Sequence, residues 1–178
     1  MKILAVYPGT FDPIHFGHED IIRRSASLFD ELLVAVYDKP LKSLLFSPDD
    51  RLAMVSASVA QMSLANVRVT GYSGLTVDFC QSVGAKVMVR GLRVFSDFEH
   101  EFRIALANHR LAPSIETVPL ITSERHTFLS STSVREIASL GGDVSTMVSA
   151  PVEAALKRRF LELGEDGGKL VSMTSLRD

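Results

Sequence analysis

The sequence predicts an α/β fold built on a doubly wound, parallel five-stranded sheet. Short apolar or β-branched runs alternate along the chain with longer stretches of helical periodicity. The runs are also apolar nearly throughout, as in Ile3-Leu4-Ala5-Val6. Alternation of this kind forms βαβ units with right-handed crossovers, and strands covered by helices on both faces are apolar on both sides.

The individual elements follow from the same patterns. Five runs predict strands at 3–7, 32–37, 67–70, 86–89 and 117–121. Six helical segments are predicted, the first with Ile21, Ile22, Ala26 and Phe29 on one face and the second with Leu52, Val55, Val59 and Met62. The second helix should start at Ser47, because Pro48 and two aspartates follow this N-cap residue. The other helices are expected at 76–82, 95–110, 134–140 and after Pro151.

Length and composition indicate one globular domain. The chain has 178 residues and a net charge of −2, with no basic stripe beyond the cluster at 157–159, so we expect no nucleic-acid partner. No apolar run approaches the ~20 residues that span a bilayer, and no leader pattern is visible, so we expect a cytoplasmic protein. The lone Cys80 is expected in the core. The domain should cover 1–163, followed by a flexible tail at 164–178.

The segment that follows the first strand, at 8–18, suits an anionic ligand. Gly9 allows the backbone to approach a phosphate closely, and Thr10 adds a hydroxyl donor. Gly17 places His18 near the start of the first helix, where backbone amides and the helix dipole attract anions. In a doubly wound sheet, ligands bind beyond the carboxyl ends of the strands, which is where this segment lies.

Two histidines in this segment, His15 and His18, are three residues apart and can project to one side. Such a pair could bind a metal, but metal sites usually contain further Cys, His or carboxylate ligands, and only Asp12 is near. The loop therefore suits a triphosphate, and we expect no metal site formed by the protein alone.

Two later segments also carry groups that bind phosphate. Arg90 and Arg93 flank a glycine directly after the fourth strand, where guanidinium groups can grip phosphate oxygens. Four hydroxyl residues at 130–133 precede the fifth helix. One of them suffices as a cap, and Ser133 with Glu136 matches a capping box. The surplus hydroxyls beside a phosphate-binding edge indicate ligand contacts.

These three segments resemble the signatures of the T/HxGH nucleotidyltransferase superfamily. His15-Phe16-Gly17-His18 is similar to the T/HxGH motif, and 129–135 is similar to its second motif, I-S-S-T/S-x-x-R/K, with Arg135 at the basic position. The run from Arg90 to Glu101 closely resembles the phosphopantetheine adenylyltransferase family and is not typical of nicotinate-mononucleotide enzymes. The resemblance covers approximately residues 1–160 and implies a Rossmann-like nucleotidyltransferase fold. The sequence departs from the family pattern at His100, where the family usually has Tyr.

The resemblance also implies the roles of individual residues. The second histidine of the motif, here His18, contacts the nucleotide phosphates in the superfamily and stabilises the transition state. The implied ATP contacts are Thr10, Phe11, His15, His18, Gly91, Leu92, Arg93, Glu101, His126, Thr127, Phe128, Leu129, Ser130, Ser131 and Thr132. The implied phosphopantetheine contacts are Thr10, Lys42, Thr76 and Arg90.

The activity implied by the resemblance is transfer of AMP from ATP to 4′-phosphopantetheine, giving dephospho-CoA and pyrophosphate. The acceptor phosphate is anionic near pH 7, so it can attack in line without a strong general base or a covalent enzyme intermediate. Mg²⁺ is expected to bind with ATP, and the family implies a homohexamer.

Two alternatives remain at this stage. Another acceptor, nicotinate mononucleotide or glycerol 3-phosphate, would keep the reaction and change the substrate, although the segment at 90–101 argues against it. A regulatory module could bind ATP without turnover, because one fold serves many functions. The combination of His18, Lys42, Arg90 and Arg93 favours catalysis, because a passive binder would need fewer of these residues.

Overall fold

A computed structural model describes residues 2–39 and 44–164, with the side chains of Phe95 and Ser96 left undescribed. Within these ranges the sheet has five parallel strands in the order β3-β2-β1-β4-β5. The central strand β1 (Leu4–Gly9) lies between β2 (Glu31–Tyr37) and β4 (Val87–Leu92), and the edges are β3 (Val67–Tyr72) and β5 (Glu116–Ile121). The predicted doubly wound parallel sheet is confirmed.

The helices lie close to their predicted positions. They are α1 (Phe16–Leu28), α2 (Pro48–Met62), α3 (Thr76–Ser82), α4 (Phe95–Leu111), α5 (Ser131–Ser139) and α6 (Ala150–Leu163), and a 3₁₀ turn covers Glu124–His126. Ser47 caps α2 as predicted, because its side chain accepts the Asp50 amide. None of the described helices is both long enough and apolar enough to cross a membrane. The predicted tail at 164–178 lies outside the described residues beyond Gly164.

The start of α5 differs from the prediction. The helix begins at Ser131, three residues early, because Ser130 is the N-cap and its Oγ accepts the Ser133 amide at 3.0 Å. The capping box predicted at Ser133 and Glu136 is therefore wrong. Strands β1 and β4 also run further than predicted, to Gly9 and Leu92, so the first residues of both candidate loops still belong to the sheet.

Apolar side chains cover both faces of the sheet. On β1, Ala5 and Tyr7 contribute to one buried cluster, while Val6 between them contributes to the other. This alternation follows from the two-residue period of a strand. Cys80 of α3 is fully buried in the second cluster, as predicted for a small core residue.

The strand order places a switch point between β1 and β4. From β1 the chain proceeds through β2 to β3 on one side, and β4 then returns to the other side of β1. At such a point the connections leave the sheet in opposite directions and open a crevice outside the carboxyl ends of the two strands. The segments after Gly9 and Leu92 both emerge there.

Candidate active site

A cavity of about 600 Å³ opens at this switch point. It brings together residues from all three of the predicted segments. The predicted site residues that line it are Thr10, Phe11, His15, His18, Arg90, Gly91, Arg93, Glu101, Ser130, Ser131 and Thr132. Because these residues lie up to 122 positions apart in the sequence, the sheet topology is what assembles them.

His18 is held in a fixed orientation by its neighbours. Its Nδ1 accepts the His15 backbone N–H at 3.2 Å. The His15 ring stacks on the His18 ring with centroids 3.7 Å apart, and the Phe11 ring meets His18 edge-on at 5.0 Å. A neutral imidazole whose Nδ1 is an acceptor carries its proton on Nε2. His18 therefore presents an Nε2–H donor.

Burial keeps both histidines neutral. Burial, followed by the positive charge of Arg93, lowers the pKa of His18 to about 3. The pKa of His15 also lies well below its ordinary value, mainly because of burial and then because of His18. Near pH 7 His18 is thus a neutral hydrogen-bond donor in the free protein.

The neutral state of His18 should be detectable in the pH dependence of the free energy of unfolding. Unfolded imidazoles bind a proton below about pH 6.5, whereas folded His18 resists protonation down to about pH 3. The folded state therefore loses stability as the pH falls through 6.5 and towards 3. Between pH 7 and pH 5, we expect the free energy of unfolding to fall by about 2 kcal/mol more in the wild type than in His18→Gln.

Urea denaturation at the two pH values measures this difference. The control is His109→Gln, which removes an exposed histidine of α4 and should keep the wild-type pH dependence. Equal pH dependence in the wild type and His18→Gln would contradict a neutral, buried His18.

The amides at the start of α1 are already occupied, which corrects the predicted anion site. The Phe16 amide donates to the Met147 carbonyl at 2.9 Å, and the Gly17 amide donates to His15 Nδ1 at 3.1 Å. The His18 amide donates to the His15 carbonyl at 2.9 Å. His15 is thus the helix N-cap, only 4% exposed. These amides are therefore not available to an anion, and the groups that α1 offers to the cavity are side chains.

Phe11 adopts a left-handed backbone conformation, with φ of 52°. This conformation is unfavourable for a bulky residue and costs about 1–3 kcal/mol, so the surrounding structure has to enforce it. The Phe11 ring is buried between Tyr7 and His18, with the centroid of Tyr7 at 5.6 Å. It also covers Gly9, where a Cβ would lie 2.7 Å from Phe11 Cζ. Gly9 is required for this close approach.

Replacing Gly9 with alanine should therefore destabilise the protein by about 1–3 kcal/mol, because the new methyl group forces the Phe11 ring to move. Urea denaturation measures the loss. Gly71→Ala is the matched control, since an added Cβ there meets only the Val36 carbonyl oxygen, at 3.9 Å. An equal effect of the two substitutions would show that the Phe11 ring does not need the space above Gly9.

Each arginine of the site is paired with a carboxylate from α4. Arg90 Nε and Nη2 donate to the two oxygens of Glu101 at 2.7 and 2.6 Å. Arg93 donates to Asp97 through Nε and Nη2, and its Nη1 donates to the Leu129 carbonyl at 3.0 Å. Burial would raise the pKa of Asp97, but the hydrogen bonds and charge of Arg93 lower it, so this carboxylate stays ionised. Both arginines are fixed before any ligand binds.

The hydroxyl residues at the start of α5 also stabilise the local structure. Ser130 Oγ accepts the Ser133 amide, and Ser131 Oγ donates to the Pro13 carbonyl at 2.8 Å. Thr132 lines the cavity beside them. A hydroxyl that donates one bond keeps lone pairs, and it can rotate to donate to a ligand. Capping and ligand binding are therefore compatible here.

Three buried charged residues, Asp12, Arg51 and Arg135, hold the loops in place. Asp12 accepts the amides of Leu45 and Phe46 at 2.9 and 3.0 Å and pairs with Arg135, which also donates to the Asp12 carbonyl. Arg51 of α2 is fully buried and donates to the carbonyls of Thr10 and Tyr37 and, at 3.2 Å, to that of Asp38. Arg135 matches the basic position of the second motif, and in this structure its guanidinium contacts Asp12.

Some predicted residues do not line the cavity. Thr76 lies beyond β3 and its Oγ1 is 3.0 Å from the Tyr72 hydroxyl. Leu129 is buried and its carbonyl holds Arg93, whereas Phe128 is exposed. Lys42 lies outside the described residues. Among the described residues, Leu92, His126 and Thr127 also do not line the cavity.

Several lining residues were not predicted, among them Tyr7, Asp97, His100 and Thr122. Burial raises the pKa of Tyr7, so its phenol stays protonated near pH 7. Asp97 follows Arg93 by four residues, a spacing that favours an ion pair at the start of a helix and could have identified it. Tyr7 gave no such signal, because an aromatic residue in a strand is typical of a core.

Comparison with known proteins finds close relatives. A family model described as cytidylyltransferase-like matches residues 6–137. Relatives named phosphopantetheine adenylyltransferase include that of Herpetosiphon aurantiacus, 52% identical over 157 residues that cover 88% of this chain and 94% of the relative. Those of Roseiflexus castenholzii and Thioalkalivibrio sulfidiphilus are 54% and 53% identical, covering 88% and 90% of this chain and 97% and 99% of the relatives.

Solved structures share the fold. A protein from Vibrio parahaemolyticus, described as a nicotinate-nucleotide adenylyltransferase, superimposes with a TM-score of 0.66. The match covers 88% of this chain and 99% of that chain at 21% identity, which supports a common fold alone.

Proposed function

Because this chain belongs to the phosphopantetheine adenylyltransferase family, we propose that it transfers AMP from ATP to 4′-phosphopantetheine in coenzyme A biosynthesis, releasing pyrophosphate and dephospho-CoA. The observation that carries this proposal is the arrangement of His18, Arg90 and Arg93 around one cavity at the switch point. A neutral donor and two guanidinium groups suit a reaction in which several phosphates meet.

The acceptor phosphate is the nucleophile in this mechanism. It is already anionic near pH 7 and attacks the α-phosphorus of ATP in line, while pyrophosphate leaves on the opposite side. Among the described lining residues there is no cysteine or lysine, and both lining carboxylates are paired with arginines. This chemistry of the lining favours direct attack without a covalent enzyme intermediate.

The side chains contribute by positioning and by stabilising charge. Thr10 and Arg90 hold the acceptor phosphate, together with Lys42, which is assigned by resemblance alone. His18 donates its Nε2–H to the α-phosphate as negative charge grows there. Arg93 and the hydroxyls of 130–132 bind the leaving pyrophosphate. Orientation of the reactants can supply roughly 7–11 kcal/mol of the barrier reduction.

Mg²⁺ is proposed to enter with ATP. Among the described residues no cluster of three His, Cys, Asp or Glu side chains could hold a metal ion. Uncharged hydroxyl oxygens line the cavity instead. This lining suits a Mg²⁺ ion whose ligands are mainly nucleotide phosphates and water. When bound, such an ion neutralises part of the charge of the nucleotide phosphates.

We also propose that the enzyme is cytoplasmic, because ATP and phosphopantetheine are metabolites of the cytoplasm.

Pyrophosphate release from ATP and Mg²⁺ tests the function. The assay is run separately with 4′-phosphopantetheine, nicotinate mononucleotide and glycerol 3-phosphate as acceptors. We expect release with phosphopantetheine alone. Release with only another acceptor would overturn the proposed substrate and keep the reaction type. ATP binding without any release would favour a regulatory module.

The family also leads us to propose a homohexamer, and α4 offers a surface for it. Phe98, Phe102 and Leu106 lie four residues apart on this helix and are each close to half exposed. A stripe of this kind is typical of an interaction surface, and here we assign it to a second copy of the chain. Sedimentation velocity should show a hexamer for the wild type and smaller species for Phe102→Asp. Leu161→Asp, which changes an exposed apolar residue of α6, is the control and should remain hexameric.

A further inference from the structure

Arg51 of α2 is fully buried although it carries a charge. Its side chain is 0% exposed and is among the largest fully buried side chains. Burial of a charged group is unfavourable unless hydrogen bonds replace the lost water. An apolar side chain of similar size could fill the same space without this cost. What Arg51 adds to the structure therefore lies in the hydrogen bonds of its guanidinium.

These hydrogen bonds connect the first loop to the end of β2. Nη1 of Arg51 donates to the carbonyls of Thr10 and Tyr37 at 2.7 and 2.6 Å, and Nη2 donates to the Asp38 carbonyl at 3.2 Å. Tyr37 is the last residue of β2, and Asp38 follows it. The sheet thus anchors the guanidinium, which holds the Thr10 carbonyl from a fixed position.

The Thr10 carbonyl belongs to the peptide group that sets φ of Phe11. This angle is 52°, in the left-handed region that is unfavourable for a bulky residue. Rotation of the Thr10–Phe11 peptide by half a turn would return φ of Phe11 to the ordinary negative region. The same rotation would turn the Thr10 carbonyl away from Arg51. The hydrogen bond from Arg51 therefore opposes the rotation that would relax Phe11.

The Thr10–Phe11 peptide joins two residues of the candidate site. Thr10 lines the cavity, and the Phe11 ring meets the His18 ring edge-on, with centroids 5.0 Å apart. Both side chains project from this part of the backbone, so we expect its release to displace the Thr10 hydroxyl and the Phe11 ring. Arg51 is described by the structure but does not line the cavity. Its influence on the site must therefore pass through Thr10 and Phe11.

We propose that Arg51 is a positioning residue, which holds the Thr10–Phe11 peptide in the orientation that places the Thr10 hydroxyl at the cavity and the Phe11 ring against His18. The effect on the reaction rests on the proposed function. The effect on the backbone does not require any substrate and can be tested separately.

Nuclear magnetic resonance of the ligand-free protein tests the effect on the backbone. Positive φ brings the amide and α protons of a residue close together, so wild-type Phe11 should give a strong nuclear Overhauser effect (NOE) between them. This NOE should weaken in Arg51→Lys, because a compact ammonium group lacks the planar fork of a guanidinium. It should also weaken in Arg51→Met, which has no donor and serves as the second variant if Arg51→Lys does not fold. A weak NOE in the wild type, or an unchanged one in a folded variant, would overturn the proposal.

Steady-state kinetics test the effect on the reaction. The assay measures pyrophosphate release from ATP and Mg²⁺ with 4′-phosphopantetheine, at a temperature at which circular dichroism shows each variant to be folded. We expect Arg51→Lys to lower kcat/KM by about 10–100-fold, because a misplacement of ~1 Å caused by a residue outside the site can cost about 10²-fold.

Asn66→Ala is the matched control. Asn66 Nδ2 also donates to two carbonyls, those of Ala26 and Phe29 at 2.8 and 3.1 Å, but it precedes β3 and lies at the amino ends of the strands, away from the cavity. This substitution should lower the urea midpoint and leave both kcat/KM and the Phe11 NOE unchanged. A loss of kcat/KM equal to that of Arg51→Lys would show that lowered stability alone reduces the rate, contrary to the proposal.

The two measurements fail in different ways. A weakened NOE with unchanged kcat/KM in Arg51→Lys would remove Arg51 from the reaction, because the conformation of Phe11 would then not matter. If the wild type releases no pyrophosphate with 4′-phosphopantetheine, the proposed function fails and the role of Arg51 in the reaction fails with it. The NOE of Phe11 would still decide whether Arg51 holds the peptide.

Discussion

Replacing His18 with alanine is expected to lower kcat for adenylyl transfer by about 10²–10³, equivalent to ~2.7–4 kcal/mol of transition-state stabilisation. The reason is geometric, because the orientation of the His18 Nε2–H donor is fixed by the stacked His15 ring, by the edge-on Phe11 ring and by the hydrogen bond from the His15 amide to Nδ1. Binding of ATP should persist, since the arginines and hydroxyls of the cavity remain. Steady-state kinetics and titration with ATP measure the two effects.

Two further variants sharpen this result. His18→Gln restores an N–H donor at a similar distance from the backbone and should recover part of the lost rate, because a neutral donor does not need to transfer a proton. His109→Ala removes an exposed histidine of α4 and should keep wild-type kinetics. A fully active His18→Ala enzyme would remove His18 from the mechanism.

Replacing Asp12 with alanine is expected to cost about 3–5 kcal/mol of stability, since it leaves Arg135 buried without its partner. Asp12 is 1% exposed and Arg135 is 3% exposed, so water cannot replace the lost carboxylate. The amides of Leu45 and Phe46 also lose their acceptors. Urea denaturation of the full chain gives the free energy of unfolding.

A double variant tests the cause of this loss. Asp12→Ala combined with Arg135→Met removes the unpaired charge and should be more stable than Asp12→Ala alone. Glu31→Ala breaks an exposed ion pair with Arg68 and should cost less than about 1 kcal/mol. If Asp12→Ala were no worse than Glu31→Ala, the buried pair would not stabilise the loops.

The fold could be predicted because its signals are local. Apolar runs locate the strands, helical periodicity locates the helices, and the convergence of strand ends explains why three distant segments form one cavity. The start of α5 was misplaced because the sequence offers four consecutive hydroxyls, and only the geometry shows that Ser130 is the cap. When several neighbouring residues could each serve as the N-cap, the sequence alone does not identify which one does.

The interior of the site was less predictable. His15 caps α1, although histidine is not among the favoured capping residues, and Phe11 adopts a conformation that sequence preferences exclude for a bulky side chain. The Arg90–Glu101 pair joins a strand to a helix, so no local spacing predicts it. Arg51 left a usable signal, because it precedes Val55 by four residues and therefore lies on the buried face of α2.

The connection between the first loop and α5 determines when the candidate site can be assembled during synthesis. Ser131 bonds to the Pro13 carbonyl across 118 residues, and Arg135 bonds to Asp12 across 123. A ribosome must therefore release most of the domain before the two halves of the candidate site can meet. A nascent chain that ends before α5 has already produced all five strands, but it lacks the hydroxyls of 131 and 132. The contacts that join the first loop to α5 can therefore form only once most of the domain has been synthesised.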